Sequence, residues 1–444
     1  MKRTLIALIA CMCAAANLSA GAKLKKMNVL VYPFANTGDA AYAWISAGMT
    51  DTVIADLKTL SGMNVFSEED RKLAVHEMEL AMAGLIPEKQ AVSVGKIMGA
   101  HMIFTGSYTV AGGAIRIIAK LQNVETTRVE KTLKIDGSLS DIFRVQDQVV
   151  LQLLDETKRV VLPGVATVEV RPGERQAITQ KPAINVSAYE WYSKGLAVHD
   201  VNRDQALDFY SKAVALQPDY SAALNRIGMT YTAKKDIGAA LDALARAEQS
   251  LVKGNRQNSV LFANVLNSFG MAYFSKKEYD RSLAFFNRSR EVMEGLGKKQ
   301  SRDYAVLMNN IAAVHFGTRD IPRTISYLDA ALAILDAIGS RDTPQYARFS
   351  HNLGVMQASR KEYARALRSY AAAREIAERN GFTNRVWYGK ILQSQAIALI
   401  KTGKSCDAVS PARASLAIFE RAKDADASKA RATLNAATKA CAKK

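Results

Sequence analysis

The chain has 444 residues, more than one ordinary core accommodates, so two or more modules are expected. Lys and Arg number 60 against 42 Asp and Glu, a formal net charge of +18. The surplus is one-sided: residues 23–159 carry 16 basic and 16 acidic side chains, whereas 187–444 carry 39 and 24, a net +15. No RNP, zinc-finger or helix-turn-helix signature accompanies it, so nucleic acid is set aside. Acidic protein, anionic lipid headgroups or cell-wall polymer suit such a surface, with mere solubilisation as the alternative.

The amino terminus reads as an export signal. Lys2 and Arg3 precede an apolar stretch from Leu5 to Ala16, and Ala20-Gly21-Ala22 offers a small-residue cleavage site. Residues 1–22 are therefore expected to be a signal peptide, too short in its apolar run to span a bilayer. Leu8-Ile9-Ala10-Cys11 also resembles a lipobox, which would make Cys11 a lipidated first residue. The run before Cys11 is shorter than an ordinary h-region, so the plain signal peptide is preferred. The expected location is periplasmic or outer-membrane-associated.

Residues 23–160 alternate strand and helix. Asn28 to Phe34 is a buried strand stopped by Asn36-Thr37-Gly38-Asp39, and a helix from about Ala41 to Leu60 follows, with Trp44, Ile45, Met49, Val53 and Leu57 at helical spacing. Asn64-Val65-Phe66 is a short strand. Ser67, with Asp70 three residues on, nearly matches a capping box, and Lys89 to Met98 is another helix. Met102–Val110 and Ala114–Val124 are strands joined by Gly112-Gly113, a hairpin signal; Arg128–Ile135 alternates as an edge strand, and Ser140 or Asp141 opens a closing helix. The fold expected is an α/β domain with a mixed sheet.

The segments VLVYPFANTGDAAYAWISAGMTDTVIADL, KIMGAHMIFTGSY, IRIIAKLQNVETTRV and LSDIFRVQDQV together resemble the TolB-amino-terminal/CsgG-like (FlgO-like) domain. The resemblance covers Met27 to Glu156. Its members include curli secretion subunits, flagellar outer-membrane lipoproteins and activators of cell-wall synthases, and it implies an envelope role without an active site. Pore-forming relatives carry long inserted hairpins; here short turns join the strands, so a secretion pore subunit is disfavoured.

Residues 161–186 hold Pro163, Pro172 and Pro182 with Gly164 and Gly173, the pattern of a linker, within which 165–170 is strand-like. Beyond it a small residue recurs every 42 positions, at Gly228, Gly270, Ala312, Gly354 and Ala396, and a second small or hydroxyl residue follows each by twelve (Ala240, Ser282, Thr324, Ala366, Ala408). Such a period marks a solenoid whose units bury their apolar faces only by stacking. Trp191, Gly195, Ala206, Tyr210, Ala213 and Pro218 begin a series that resembles tetratricopeptide (TPR) repeats, an all-α solenoid: six helix pairs over 187–425 and a capping helix over 426–444.

The resemblance places the first helix of each pair along a concave groove. The groove-facing positions hold Asn225 and Arg226, Asn267, Asn309 and Asn310, His351 and Asn352, then Gln393, an amide column able to bond an extended peptide backbone. Arg348 and Lys390 would meet a carboxylate. The alternative is that these amides bond neighbouring helices or water. Cys406 and Cys441 are left after cleavage, either as a bridge stapling the cap or as two thiols.

Catalytic and metal-binding patterns are missing from the sequence. The five histidines do not pair at i,i+4, His76-Glu77 lacks the second His of a zinc-protease motif, and GxSxG, P-loop, CxxC and dinucleotide fingerprints are absent. No cofactor or metal is expected, and the chain reads as a non-enzyme. The function expected is an exported envelope scaffold that binds protein; the alternative is a contact activator or regulator of a cell-wall or secretion complex.

Overall fold

The computed structural model describes residues 24–67, 70–71, 92, 94–96 and 98–443. The expected leader with Cys11, the His76-Glu77 pair and most of the helices expected between Ser67 and Met98 lie outside them.

The first half is an α/β domain. A six-stranded sheet runs β3 (Met63–Val65), β1 (Met27–Val31), β4 (Met102–Ala111), β5 (Ala114–Asn123), β6 (Val129–Ser138), with the short β2 (Ala35–Asn36) also on β4. β1 is parallel to β3 and β4, while β4, β5 and β6 form an antiparallel meander. The turn from β4 to β5 places Gly112 and Gly113 at φ +57° and +79°, the left-handed pair that a two-residue hairpin demands and glycine accepts without a Cβ clash. Ser67 and Asp70 exchange the reciprocal bonds of a capping box: Asp70 N donates to Ser67 Oγ (3.1 Å) and Ser67 N to Asp70 Oδ2 (3.1 Å).

Helices α1 (Ile45–Thr59) and α2 (Ile142–Thr157) cover one face of the sheet. The helix expected from Ala41 begins later, because Ala40–Tyr42 form a separate 3-10 turn capped by Asp39. Residues 161–186 are not a free tether. Lys25 and Val165 bridge as parallel strands, Pro172–Thr179 forms a helix (α3), and Val168 and Ile178 are fully buried. Pro172 and Glu174 were its sequence signal: proline suits the first helical position, and the Glu174 carboxylate accepts from Arg171 N at 3.0 Å. Lys181 then ties this segment to Asp56 (2.7 Å) and Asp147 (2.8 Å).

The second half is a stack of antiparallel helix pairs: α4 (Val186–Val198) with α5 (Arg203–Leu216), α6 (Ser221–Lys234) with α7 (Ile237–Lys253), α8 (Val260–Ser275) with α9 (Tyr279–Gly295), α10 (Arg302–Gly317) with α11 (Ile321–Ala337), α12 (Pro344–Ser359) with α13 (Tyr363–Arg379), and α14 (Val386–Lys401) with α15 (Ser405–Arg421), ending in α16 (Ala427–Cys441). The periodic small residues explain the pairing. A Cβ at Gly270 would lie 2.4 Å from the Phe286 ring, and one at Gly354 2.5 Å from the Tyr370 ring, so each aromatic of the second helix seats on bare backbone of the first. Ser282 occupies the second periodic position and donates to Gly270 O at 2.7 Å, fastening the same crossing. A mixed sheet followed by a helical solenoid is the architecture.

Cys406 and Cys441 are bridged, with their Cα atoms 4.7 Å apart. The bond closes a separation of 35 residues and pins α16 to α15. Chain-entropy closure over that length corresponds to about 3–4 kcal/mol. Replacing both cysteines by serine is expected to speed amide exchange in α15 and α16 while leaving the first repeats unchanged; an equal effect along the whole array would contradict the local staple.

One finding separates the molecule from two beads on a string. A single apolar core runs from Met27 through α1 and α2 into the helices as far as Ala272. The helix-covered face of the sheet and the helices from α4 to α8 share one core, while Leu30, Tyr32, Phe66, Ile103 and Val124 form a separate cluster.

Candidate protein-binding groove

Successive first helices of the pairs pack on one another, α6 on α8, α8 on α10 and α12 on α14, and so form the shorter, inner wall of the stack. The α/β domain fills the beginning of this inner wall. Helix α1 lies against α4 and reaches α8. Asp51 accepts from the Tyr192 hydroxyl (2.8 Å) and from Arg226 (3.1 Å). Nearby Tyr192 and Asp51 outweigh burial and hold the Arg226 guanidinium well above its usual range, so it stays charged in this contact.

The same domain also meets two of the turns that lead from a second helix to the next first helix, those between α9 and α10 and between α11 and α12. Lys58 pairs with Asp303 (2.9 Å), buried Arg302 reaches both Asp70 oxygens at 3.3 Å, and Asn28 donates to Ile338 O at 2.8 Å. Lys298 donates to Leu60 O; burial, with Lys26 adding repulsion, pulls its ammonium down to about 8. The crevice between Asn64, Lys298 and Asp303 holds about 20 Å³, room for a single water.

These contacts correct the first part of the expected amide column. Asn225 is buried, its Nδ2 turned to Met229 Sδ at 3.8 Å, and Arg226 is committed to Asp51. Neither is free for a ligand, since Asn225 is buried and Arg226 is held by Asp51 of the α/β domain. Further on, the amides bond across the helices: Asn310 Nδ2 to Asn267 Oδ1 (3.0 Å), Asn352 Nδ2 to Asn309 Oδ1 (3.5 Å), and His351 Nε2 with Ser394 Oγ (3.0 Å). Each bond spans 43 residues, one repeat plus one position, so the column is first a ladder that sets the spacing of the inner wall. It uses one donor or acceptor of each amide and leaves the others for a ligand.

What remains open lies over α10, α12 and α14. Asn352 and Arg348 are exposed, Asn309 and Gln393 half-buried, and Lys390 is exposed with its Nζ 3.8 Å from Asp426. Two residues the sequence reading passed over join this face. Phe316 is 53% exposed and Ile397 43%, seven residues after Asn309 and four after Gln393, and so on the same helical stripe. Their signal was an apolar side chain recurring at helical spacing from the polar column. Cations, amides and apolar side chains thus line one open half-groove.

His351 contributes no charge to it. Burial lowers its imidazole from 6.5 to about 4, and the Lys390 ammonium adds to the effect, with only a backbone bond at Lys390 opposing. The native ring therefore declines the proton that the unfolded chain takes up below 6.5. Stability from this group is full above 6.5 and falls as pH drops toward 4. His351→Gln is expected to flatten the acid limb of the melting temperature between those values; superimposable profiles for both proteins would refute it.

Among the described residues no group of three or more His, Cys, Asp or Glu is placed to hold a metal, and no helix is long and apolar enough to cross a membrane.

Residues 261–337 and 303–378 match the tetratricopeptide repeat family model. A curated relative, putative adenylate cyclase 3 of Rhizobium meliloti (strain 1021), is 25% identical over 230 residues, 50% of this chain; the match spans 36% of that protein's length. Among solved structures, the chain is similar to apo RapI (16% identity, 56% of this chain and 70% of that one, TM-score 0.46). It is likewise similar to the Cut9–Hcn1 hetero-tetramer of APC/C (16%, 67% and 53%, TM-score 0.46) and to PilF of Pseudomonas aeruginosa (14%, 51% and 89%, TM-score 0.39). Residues 261–378 of the helical solenoid carry tetratricopeptide repeats.

Proposed function

We propose that the protein is an exported, non-enzymatic scaffold of the cell envelope, which holds a partner protein through the open half-groove over α10, α12 and α14. The observation that carries this reading is the division of the groove. Its first stretch is filled by the chain's own α/β domain, while Arg348, Asn352, Lys390, Phe316 and Ile397 stand exposed beyond it. Two exposed cations, Arg348 and the Lys390 that only loosely meets Asp426 at 3.8 Å, favour an acidic or carboxylate-terminated segment, and the two apolar side chains give it something to anchor on. Export rests on the amino-terminal pattern of residues 1–22, and the envelope setting on the resemblance of the α/β domain to the TolB-amino-terminal/CsgG-like group. Peripheral association with the outer membrane or cell wall belongs to the same reading.

A photo-crosslinking residue at position 352, in cells, tests it. A discrete adduct that forms from position 352, is lost with Arg348→Gln/Lys390→Gln, and is missing when the crosslinker sits at 253 on the outer helix α7, is the expected result. Adducts of equal yield from both positions would sink the groove as the binding surface. An alkaline phosphatase fusion after residue 22 tests export separately.

A further inference from the structure

The two edges of the solenoid solve one backbone problem in two ways. From the α6–α7 turn onward, every turn contains one residue with left-handed φ, a conformation that glycine adopts freely and other residues resist. At the turns from second helix to next first helix these residues are Asn255, Gly297, Gly339, Gly381 and, at the last turn alone, Lys423. At the turns from first to second helix they are Lys235, Lys277, Arg319, Lys361 and Gly403, the four cations at φ 64°, 65°, 64° and 64°. The backbone demand is the same, so it does not explain the cations. Four times in succession a strained Lys or Arg stands where glycine would fit.

Those four side chains are exposed and make no ion pair among the described residues. The acid that follows each is engaged elsewhere. Asp236 and Asp320 cap their helices at Ala239 N and Arg323 N, while Glu278 and Glu362 are held between Lys276 and Arg281 and between Arg360 and Arg365. The α/β domain docks on the inner wall and on the opposite edge, through Lys298, Arg302 and Ile338. The cationic edge is therefore a free, projecting row of charges carried on rigid turns.

We infer that this edge is a docking surface for an anionic phospholipid membrane, with Lys235, Lys277, Arg319 and Lys361 as its headgroup contacts. Rings at the same turns favour lipid over an acidic protein. Tyr279 and Tyr363 open the second helices two residues after Lys277 and Lys361, half-buried. Aromatic side chains beside cations suit the headgroup layer, where one end is wet and the other apolar. The inference does not depend on the groove, which lies on a different face.

The test is co-sedimentation of the chain from Lys23 on, which contains every described element, with vesicles of phosphatidylcholine and about one third phosphatidylglycerol. The variant is K235G/K277G/R319G/K361G. Glycine relieves the left-handed backbone, so its melting temperature should hold or rise, which separates lost binding from lost folding. Wild type should bind the anionic vesicles, ignore pure phosphatidylcholine and weaken with salt. Each removed cation should weaken binding about fivefold, and the four together several hundredfold. R246Q/R368Q/R413Q, on the outer helices, should lose far less. Equal binding by the glycine variant overturns the inference. So does wild type that ignores the vesicles but is retained by poly-glutamate, which would mark an acidic polypeptide as the ligand instead.

Discussion

Arg302→Met is expected to destabilise the protein by about 3–5 kcal/mol at neutral pH, the range for breaking a buried ion pair from one side. The Arg302 side chain is 4% exposed, contacts both oxygens of Asp70, and stacks its guanidinium 4.5 Å from the Phe66 ring centre. Burial alone would push the Asp70 carboxyl up. The charge and hydrogen bonds of Arg302, with the bonds from Ser67, outweigh it and hold it below its usual value. With a depressed native value, this carboxylate contributes stability above its unfolded value and loses it as pH falls. Methionine keeps the stem packing but leaves the carboxylate buried with Ser67 alone. The deficit should therefore be largest at neutral pH and shrink on acidification, when Asp70 can take a proton. The double variant D70N/R302M, with no charge left, should recover most of the loss. Denaturant unfolding, followed through the first transition, reads all three proteins. A loss below about 1 kcal/mol for Arg302→Met, the value of an exposed pair, would show that the domain edge is not sealed against water.

The fold was far more legible in the chain than the site. Period 42 and the small residues that admit Phe286 and Tyr370 are local consequences of helix packing, so each repeat announces itself. Gly112-Gly113 likewise specifies its hairpin from two residues. The docking of the α/β domain was hidden because its contacts join residues far apart in sequence: Asp51 with Arg226, Asp70 with Arg302, Asn28 with Ile338. Arg226 looks like a groove cation until its partner is seen, and nothing in the local pattern distinguishes it from Arg348. The amide column left two readings open for the same reason, and the bonds between Asn310 and Asn267 and between Asn352 and Asn309 agree with the one in which the amides bond neighbouring helices. A residue that faces a groove and a residue that bonds the next helix occupy the same register, and only the bond spanning 43 residues tells them apart.

Gly48→Leu is expected to open the seam between α1 and α4 and cost at least the 1–3 kcal/mol typical of overpacking. Gly48 sits inside an ordinary helix, where glycine costs up to about 1 kcal/mol relative to alanine and serves no backbone need. Its use is closeness. A Cβ there would lie 2.0 Å from Ser193 Oγ and 2.7 Å from Tyr189 Oη. The Ser193 hydroxyl would have to turn to another rotamer, and Tyr189 is fixed: its ring meets Trp44 and Phe143 edge-on, and its hydroxyl is bonded by Gln146 at 2.8 Å. Even Gly48→Ala should destabilise, against its gain in helix propensity. Gly238, near the start of α7, supplies the comparison, because a Cβ there meets only Asp236 Oδ1 at 3.9 Å. Gly238→Ala should be neutral or stabilising by about 0.5–1 kcal/mol. Opening the seam should also speed limited proteolysis at the junction where residues 180–186 lead from the α/β domain into α4. If alanine at 48 and at 238 give the same melting shift and the same cleavage rate, the domain is not seated against α4, and the beginning of the groove is open to ligands after all.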